Sequence, residues 1–97
     1  MQKWHTEQTD KLVKVIAGLE NEAECYRLLE DLCTIKEIMD MAQRLEVAKL
    51  LSQNKNYQEI TKETGVSTAT ISRVNKCLSY GSGGYKAALL KLSESEE

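Results

Sequence analysis

The 97-residue sequence predicts an all-α fold, and three observations favour helices over strands. The chain contains no proline and is rich in leucine, glutamate and lysine, which have high helix propensity. Apolar residues recur at spacings of three and four, which is the period of one helix face. Polar residues that make good N-caps precede several of these segments. A chain of this length forms one small domain, or one subunit of an oligomer.

The first two predicted helices lie near the N-terminus. Residues 6–19 form the first helix, whose apolar face contains Leu12, Val15, Ile16 and Leu19. Asn21 is expected to cap the second helix, because glutamates follow in its first turn and suit the positive end of the helix dipole. The apolar side of the second helix reaches Leu32.

Thr34 and Glu37 form a capping-box pattern for a third helix, which runs to about residue 53. The N-terminal helices carry more apolar surface than a unit of three helices needs. The excess positions are Leu12, Val13, Val15, Ile16, Leu28, Leu29 and Leu32. They could complete a monomer core, but we favour a homodimer whose interface lies mostly in residues 7–54.

Residues 57–78, YQEITKETGVSTATISRVNKCL, predict a helix-turn-helix. The first of its helices covers residues 57–64 and buries Ile60, and a second capping-box pattern, Asn56 with Glu59, precedes it. Gly65 stands where the chain must turn, because glycine adopts a left-handed backbone at little cost. Val66 is expected to fill the turn.

The second helix of this motif has one apolar and one polar face. Ser67 caps it, and Ile71, Val74 and Leu78 form its apolar stripe. Small, hydroxyl and basic side chains on the opposite face suit the edges of bases and the phosphates of DNA. The predicted DNA-contacting residues are Tyr57, Ser67, Thr68, Ala69, Thr70, Ser72, Arg73 and Lys76. A helical hairpin that never binds DNA is the alternative, but the absence of Asp and Glu from residues 67–76 favours DNA.

The charge distribution agrees with a local DNA-binding surface. The formal net charge is −2, which does not by itself indicate a nucleic-acid binder. Residues 55–92, however, hold six basic and two acidic residues, a balance of +4, whereas residues 1–54 have a balance of −3. Attraction of phosphates is therefore expected only in the second region.

The C-terminal region completes the predicted organisation. Residues 79–84, SYGSGG, form a loop, and residues 85–92 form a short last helix. The acidic residues 93–97 are expected to be a disordered tail. The chain thus divides into dimerisation helices (1–54), a DNA-binding region with the last helix (55–92) and the tail, within a single domain.

Other functional classes find little support. Cys25, Cys33 and Cys77 are odd in number and lack CxxC spacing, so we expect reduced thiols rather than a zinc site with His5, the only histidine. This cysteine usage predicts a cytoplasmic protein, and no membrane-spanning or signal segment is recognised. No cofactor is expected, and no nucleophile has a partner base, so we do not expect an enzyme. A helical protein-interaction adaptor is the rival function, and it predicts capture of a different protein rather than self-association.

Three segments resemble the Trp repressor superfamily, and more closely its YerC/YecD branch of bacterial regulators. They are Ala42-Gln43-Arg44-Leu45-Glu46-Val47-Ala48, Thr70-Ile71-Ser72-Arg73-Val74, and Tyr80-Gly81 with Gly84-Tyr85. The resemblance extends beyond these strongest matches and covers about residues 32 to 86. The resemblance implies an all-helical, intertwined homodimer that represses transcription.

The resemblance also implies a site for a small-molecule corepressor. In Trp repressor two arginines and a threonine hold tryptophan, and Arg44, Thr70 and Arg73 fall on those positions. Residues 74–77 differ, because Val-Asn-Lys-Cys replaces a glycine- and serine-rich stretch. Whether a corepressor exists, and which, is therefore left open.

Several candidate residues keep more than one interpretation. For Arg73 we rank contact with DNA above a ligand clamp, and a ligand clamp above a solvated side chain. For Arg44 a surface or inter-helix salt bridge ranks above a carboxylate ligand. Lys76 contacts a phosphate or faces solvent, and Ser67 is first a cap that could also reach a phosphate. Tyr57 touches the DNA backbone or packs against the turn. Packing is the expected role of the two tyrosines that flank the glycine loop, Tyr80 and Tyr85.

Overall fold

A computed structural model describes residues 3–95, which contain six α-helices and no strand. The helices are α1 (Glu7–Ala17), α2 (Glu22–Leu32), α3 (Ile35–Ser52), α4 (Tyr57–Thr64), α5 (Thr68–Tyr80) and α6 (Gly84–Ser95). The predicted all-α class is confirmed. Within the described residues, the chain forms two compact units that divide between Ile38 and Met39.

Side-chain caps fix where most of these helices begin. Asn21 accepts a hydrogen bond from the backbone N–H of Glu24 at 2.9 Å, which confirms it as the cap of α2. The capping box before α3 is also confirmed. The Thr34 N–H donates to the Glu37 carboxylate at 2.8 Å, and the Glu37 N–H donates to the Thr34 hydroxyl at 3.1 Å.

The core of the second unit lies under the helix-turn-helix. Its buried side chains come from α3, α4, α5 and the turn between the last two, and they are Val47, Ala48, Leu50, Ile60, Val66, Ile71 and Val74. The predicted apolar stripe of α5 is confirmed at Ile71 and Val74, whereas Leu78 is only half-buried. Burial of an isoleucine or valine side chain stabilises a fold by about 1.5–3 kcal/mol. This core therefore holds α4 and α5 in place against α3.

The first unit has no such core of its own. No residue of α1 or α2 is buried, although both helices have a clear apolar face. Val13, Val15 and Ile16 of α1 are each about half exposed, at 51%, 53% and 51%. The excess of apolar surface that the sequence predicts is present in the folded chain.

The last helix is longer than predicted. The sequence places its end at residue 92 and a disordered tail after it, but α6 continues to Ser95. No proline or glycine interrupts this segment, and the Ser95 hydroxyl donates to the Lys91 carbonyl at 3.0 Å, so the backbone continues as helix. Glu96 and Glu97 of the predicted tail lie outside the described residues. Across residues 3–95, no helix has the length and apolarity needed to cross a membrane.

Gly65→Ala should destabilise the protein by about 1–2 kcal/mol, because Gly65 has a φ of 75° and an L side chain strains that backbone. A Cβ at Gly65 would meet no atom within 4 Å, so the cost comes from the backbone alone. Urea unfolding at fixed chain concentration measures this. Gly84→Ala is the matched control: its Cβ also meets nothing, but its φ is not positive, so stability should stay equal or rise. Equal losses in both variants would contradict the argument.

The capping box before α3 should also respond to acid. Hydrogen bonds from the Thr34 backbone, and then from its side chain, hold the pKa of Glu37 below the ordinary value for glutamate. Its contribution to stability is therefore present above the unfolded-state pKa and is lost as pH falls through the lower folded-state pKa. In an NMR titration, Thr34→Ala should raise the Glu37 midpoint part of the way back, since the backbone donor remains. An unchanged midpoint would show that the hydroxyl does not act on this carboxylate.

Candidate nucleic-acid interface

The first helix of the motif, α4, is fixed at both ends by local hydrogen bonds. Asn56 Oδ1 accepts from the Glu59 N–H at 2.9 Å, and Glu59 Oε1 accepts from the Asn56 N–H at 3.4 Å, which confirms the second capping box. Ile60 is fully buried, and Gly65 closes the helix in the left-handed conformation, donating its N–H to the Thr61 carbonyl at 2.8 Å. The direction in which the chain leaves α4 is therefore set by the sequence.

The turn between α4 and α5 is fastened by side chains as well. The Thr64 hydroxyl donates to the Ile60 carbonyl at 2.7 Å and accepts from the Val66 N–H at 3.1 Å. Val66 is buried in the core, as predicted. Ser67 Oγ then accepts the Thr70 N–H at 3.3 Å, and this N-cap starts α5. Such a turn holds two helices at one angle without a long loop.

The outward face of α5 consists of the residues that the sequence predicts. Ile71 and Val74 are buried beneath the helix, and five residues on the other side are exposed: Thr68, Ala69, Ser72, Arg73 and Lys76. The first turn of α5 contains no acid. This face therefore presents small, hydroxyl and cationic groups to solvent.

Two of the predicted residues are placed differently from the rest. Thr70 is half-buried, and its hydroxyl lies 3.2 Å from that of Ser67, which donates to it. Tyr57 is half-buried and packs against the core, so its packing interpretation holds within the chain. Of the two loop tyrosines, Tyr85 also packs against the core, whereas Tyr80 is 86% exposed and has no such role within one chain.

An ion-pair cluster that the sequence analysis did not predict pairs both acidic side chains of the helix-turn-helix with one lysine. Lys55 Nζ lies 3.8 Å from Glu59 Oε2 and 3.9 Å from Glu63 Oε1. These glutamates are the two acids of residues 55–92, so both are paired with a cation. Within residues 3–95, Arg73 and Lys76 make no ion pair. The spacing of four between Lys55 and Glu59 is the signal that could have revealed the cluster.

Arg44 lies apart from the outward face of α5. It is half-buried on α3 and, within the described residues, makes no ion pair or side-chain hydrogen bond. Its side chain lines an open cavity of about 500 Å³, which we call the α3–α6 cavity. The lining comes from α3, the end of α5, the glycine loop and the start of α6, and consists of Met41, Arg44, Leu45, Cys77, Gly81, Ser82, Gly84, Tyr85 and Ala88.

The α3–α6 cavity brings together only one of the three residues predicted to hold a ligand. Arg44 lines it, but Thr70 and Arg73 do not. A site formed by Arg44, Thr70 and Arg73 stays a prediction. The sequence analysis predicts a glycine loop and a packing role for Tyr85. No pattern in these residues indicates a cavity.

Within residues 3–95, no group of three or more His, Cys, Asp or Glu side chains is positioned to hold a metal ion. The three cysteines are free thiols, and Cys77 is exposed on α5 beside the α3–α6 cavity.

Comparison with known proteins places this arrangement in context. The sequence profile of the Trp repressor protein family matches residues 7–93. The uncharacterized protein YerC of Bacillus subtilis is 49% identical over 94 residues, which cover 97% of this chain and 90% of that protein.

Two solved structures share the fold. The crystal structure of a candidate Trp repressor from Staphylococcus aureus matches with a TM-score of 0.87 and 43% identity, covering 96% of this chain and 95% of the other. A TrpR-like protein from Eubacterium eligens matches with a TM-score of 0.87 and 44% identity, covering 94% of each chain. Since the profile spans nearly the whole helical region and the relatives align over almost their full length, this chain belongs to the Trp repressor family.

Proposed function

We propose that this chain is a sequence-specific DNA-binding transcription regulator that acts as a repressor and reads the major groove with α5. The observation that carries the proposal is the outward face of α5: small and cationic side chains on a helix whose opposite side is anchored in the core. A major groove admits one α-helix, and the residues near its N-terminus reach base edges. Family membership supports the same function.

The exposed residues divide into base-reading and phosphate-binding roles. Thr68, Ala69 and Ser72 are small enough to let the start of α5 approach base edges, and Arg73 suits a bidentate contact with guanine. Lys76, one turn further along, suits a phosphate. Ser67 and Tyr57 lie at the starts of α5 and α4, where a hydroxyl can reach the DNA backbone.

We also propose that the regulator is a homodimer, assembled mainly through residues 7–54. Support comes from α1 and α2, which bury no residue within one chain although each has an apolar face. Exposed apolar surface of this kind marks an interaction site. A two-fold dimer reads two half-sites roughly 34 Å, or one helical turn of DNA, apart. Such a protein acts in the cytoplasm of a bacterium, where the DNA is.

A corepressor held by Arg44, Thr70 and Arg73 is the arrangement that the family resemblance implies. We retain it as a proposal, because Arg44 and Arg73 have no competing ion pair among the described residues. Two guanidinium groups could form charge-assisted hydrogen bonds with a carboxylate and stack on an aromatic ring.

The dimer can be tested by sedimentation at micromolar concentrations, where the parent protein should contain two chains. Ile16→Asp should shift it toward monomer, because a carboxylate on the apolar face of α1 would be buried without a partner. Ala17→Asp is the matched control: it adds the same charge at the same end of α1, but on the opposite side by helical geometry. A parent protein that stays monomeric throughout would remove the dimer and its half-site spacing.

DNA binding can be tested by selecting bound sequences from random duplexes and titrating the variants on the recovered sequence. Arg73→Ala should weaken binding to that sequence by about 1–3 kcal/mol and relax specificity at one base pair. Lys76→Ala should weaken binding to all sequences alike and lower the salt slope by about one unit.

Lys91→Ala serves as the control, because Lys91 is an exposed cation on α6 rather than on α5. It should bind as the parent protein does. If Arg73→Ala and Lys76→Ala both bind like the parent, the outward face of α5 is not the DNA-reading surface. If no sequence is enriched at all, the DNA-binding function itself is wrong and the adaptor function becomes the better account.

A further inference from the structure

We propose that the start of α5 selects thymine by its C5-methyl group, and that the side chain of Ala69 and the methyl group of Thr68 make the contact. This inference rests on the proposed function and specifies which base these two residues prefer. It gives them a chemical preference in addition to the small size that lets α5 approach the DNA. The thymine methyl lies in the major groove, which is the groove that α5 is proposed to enter.

The side chains that α5 exposes leave few ways to distinguish the bases. Adenine is read by the amide of Asn or Gln, and the amino group of cytosine by the carboxylate of Asp or Glu. No exposed residue of α5 is of these types, since its one amide residue, Asn75, is half-buried. Hydroxyl groups both donate and accept, so they discriminate little. What remains is a basic side chain on guanine and an apolar contact with the thymine methyl.

The two apolar surfaces lie at the start of α5, where a recognition helix meets base edges. Thr68 is the first residue of α5 and Ala69 is the second, and both are exposed. Neither belongs to the buried core, so their methyl groups face solvent in the free chain. Contact with a thymine methyl would remove apolar surface of both partners from water, which favours binding.

The first turn of α5 is fixed firmly enough for a contact between methyl groups, which attract only at short range. The Thr64 hydroxyl accepts from the Val66 N–H at 3.1 Å, and Ser67 Oγ accepts from the Thr70 N–H at 3.3 Å. Ile71 is fully buried beneath the helix. The preceding turn, the N-cap and the core therefore all hold the start of α5 in place.

Arg73 gives the expected thymine a position within the half-site. Ala69 and Arg73 are four residues apart, so they share one face of α5 and lie about 6 Å apart along its axis. Since successive base pairs are about 3.4 Å apart, the thymine should lie about two base pairs from the guanine that Arg73 reads. Thr68 belongs to the same turn as Ala69, so its methyl is expected to reach the same or the neighbouring base pair.

The test begins with changes to the DNA. In the duplex recovered by selection, each thymine is replaced in turn by uracil, which lacks only the C5-methyl group. Binding should weaken about fourfold at the thymines that face Thr68 and Ala69, as expected for the loss of one buried methyl-sized group. When a cytosine–guanine pair occupies such a position, 5-methylcytosine should bind about fourfold more tightly than cytosine for the same reason.

Three protein variants then identify the contacting side chains. Ala69→Gly removes a Cβ, and Thr68→Ser removes only a methyl group, so each should lose the preference for thymine over uracil at its own position. Ala69→Gly also weakens the helix, but that loss is the same on both duplexes and cancels in the ratio of their affinities. Ala87→Gly is the matched control: it removes a Cβ from an exposed alanine of α6, and the thymine preference should stay intact.

Two results would overturn this inference and leave the proposed function standing. One is a selected duplex whose affinity changes with no uracil substitution. The other is a uracil effect that persists undiminished in both Ala69→Gly and Thr68→Ser, because the methyl group would then act through the shape of the DNA or on another side chain. If no sequence is enriched by selection, the proposed function fails and this inference fails with it.

Discussion

The arrangement of the helix-turn-helix depends on the burial of Ile71 and Val74 beneath α5. These side chains are 0% and 1% exposed, and they meet buried residues of α3 and α4. Truncation of a core isoleucine to alanine typically costs about 2–5 kcal/mol, a large part of the 5–15 kcal/mol that stabilises a small domain. The outward face of α5 can consist of small and charged residues because it contributes nothing to this packing. Stability and the DNA recognition that we propose thus lie on opposite sides of one helix.

The electrostatic properties of the chain are local rather than global. A net charge of −2 would repel DNA at long range, but the acids lie mostly outside the helix-turn-helix. The two acids inside it are held by Lys55, at distances that correspond to weak, partly exposed ion pairs. In the proposed complex, phosphates at α5 would meet Arg73 and Lys76, while both acids of residues 55–92 are paired with Lys55. Because these cations are exposed, their attraction is screened within about 10 Å at 0.1 M salt.

The features that the sequence predicted correctly are those fixed by neighbouring residues. Capping boxes, the left-handed Gly65 and the stripe of α5 depend on contacts within one or two helical turns, so the spacing of residue types is sufficient. The α3–α6 cavity could not be predicted in this way, because it requires Arg44 and Gly84, far apart in sequence, to line the same space. The ion pairs of Lys55 with Glu59 and Glu63 were not predicted, because only the net charge of residues 55–92 was considered and not the spacing of opposite charges along the chain. The predicted end of α6 was wrong. The acidic composition after residue 92 was taken to indicate disorder, although no residue between Leu92 and Ser95 breaks a helix.

The bare apolar face of α1 has a consequence for how the amount of protein controls its activity. If only a second copy covers that face, the concentration of chains sets the fraction of chains that are dimeric. Occupancy of a two-half-site sequence then depends on the square of the free chain concentration while monomers predominate. Over that range, doubling the number of chains raises the number of complete readers about fourfold, since assembly is second order. The response of a target to changes in expression would therefore be steeper than one-to-one, without a ligand and without any interaction between separate DNA sites.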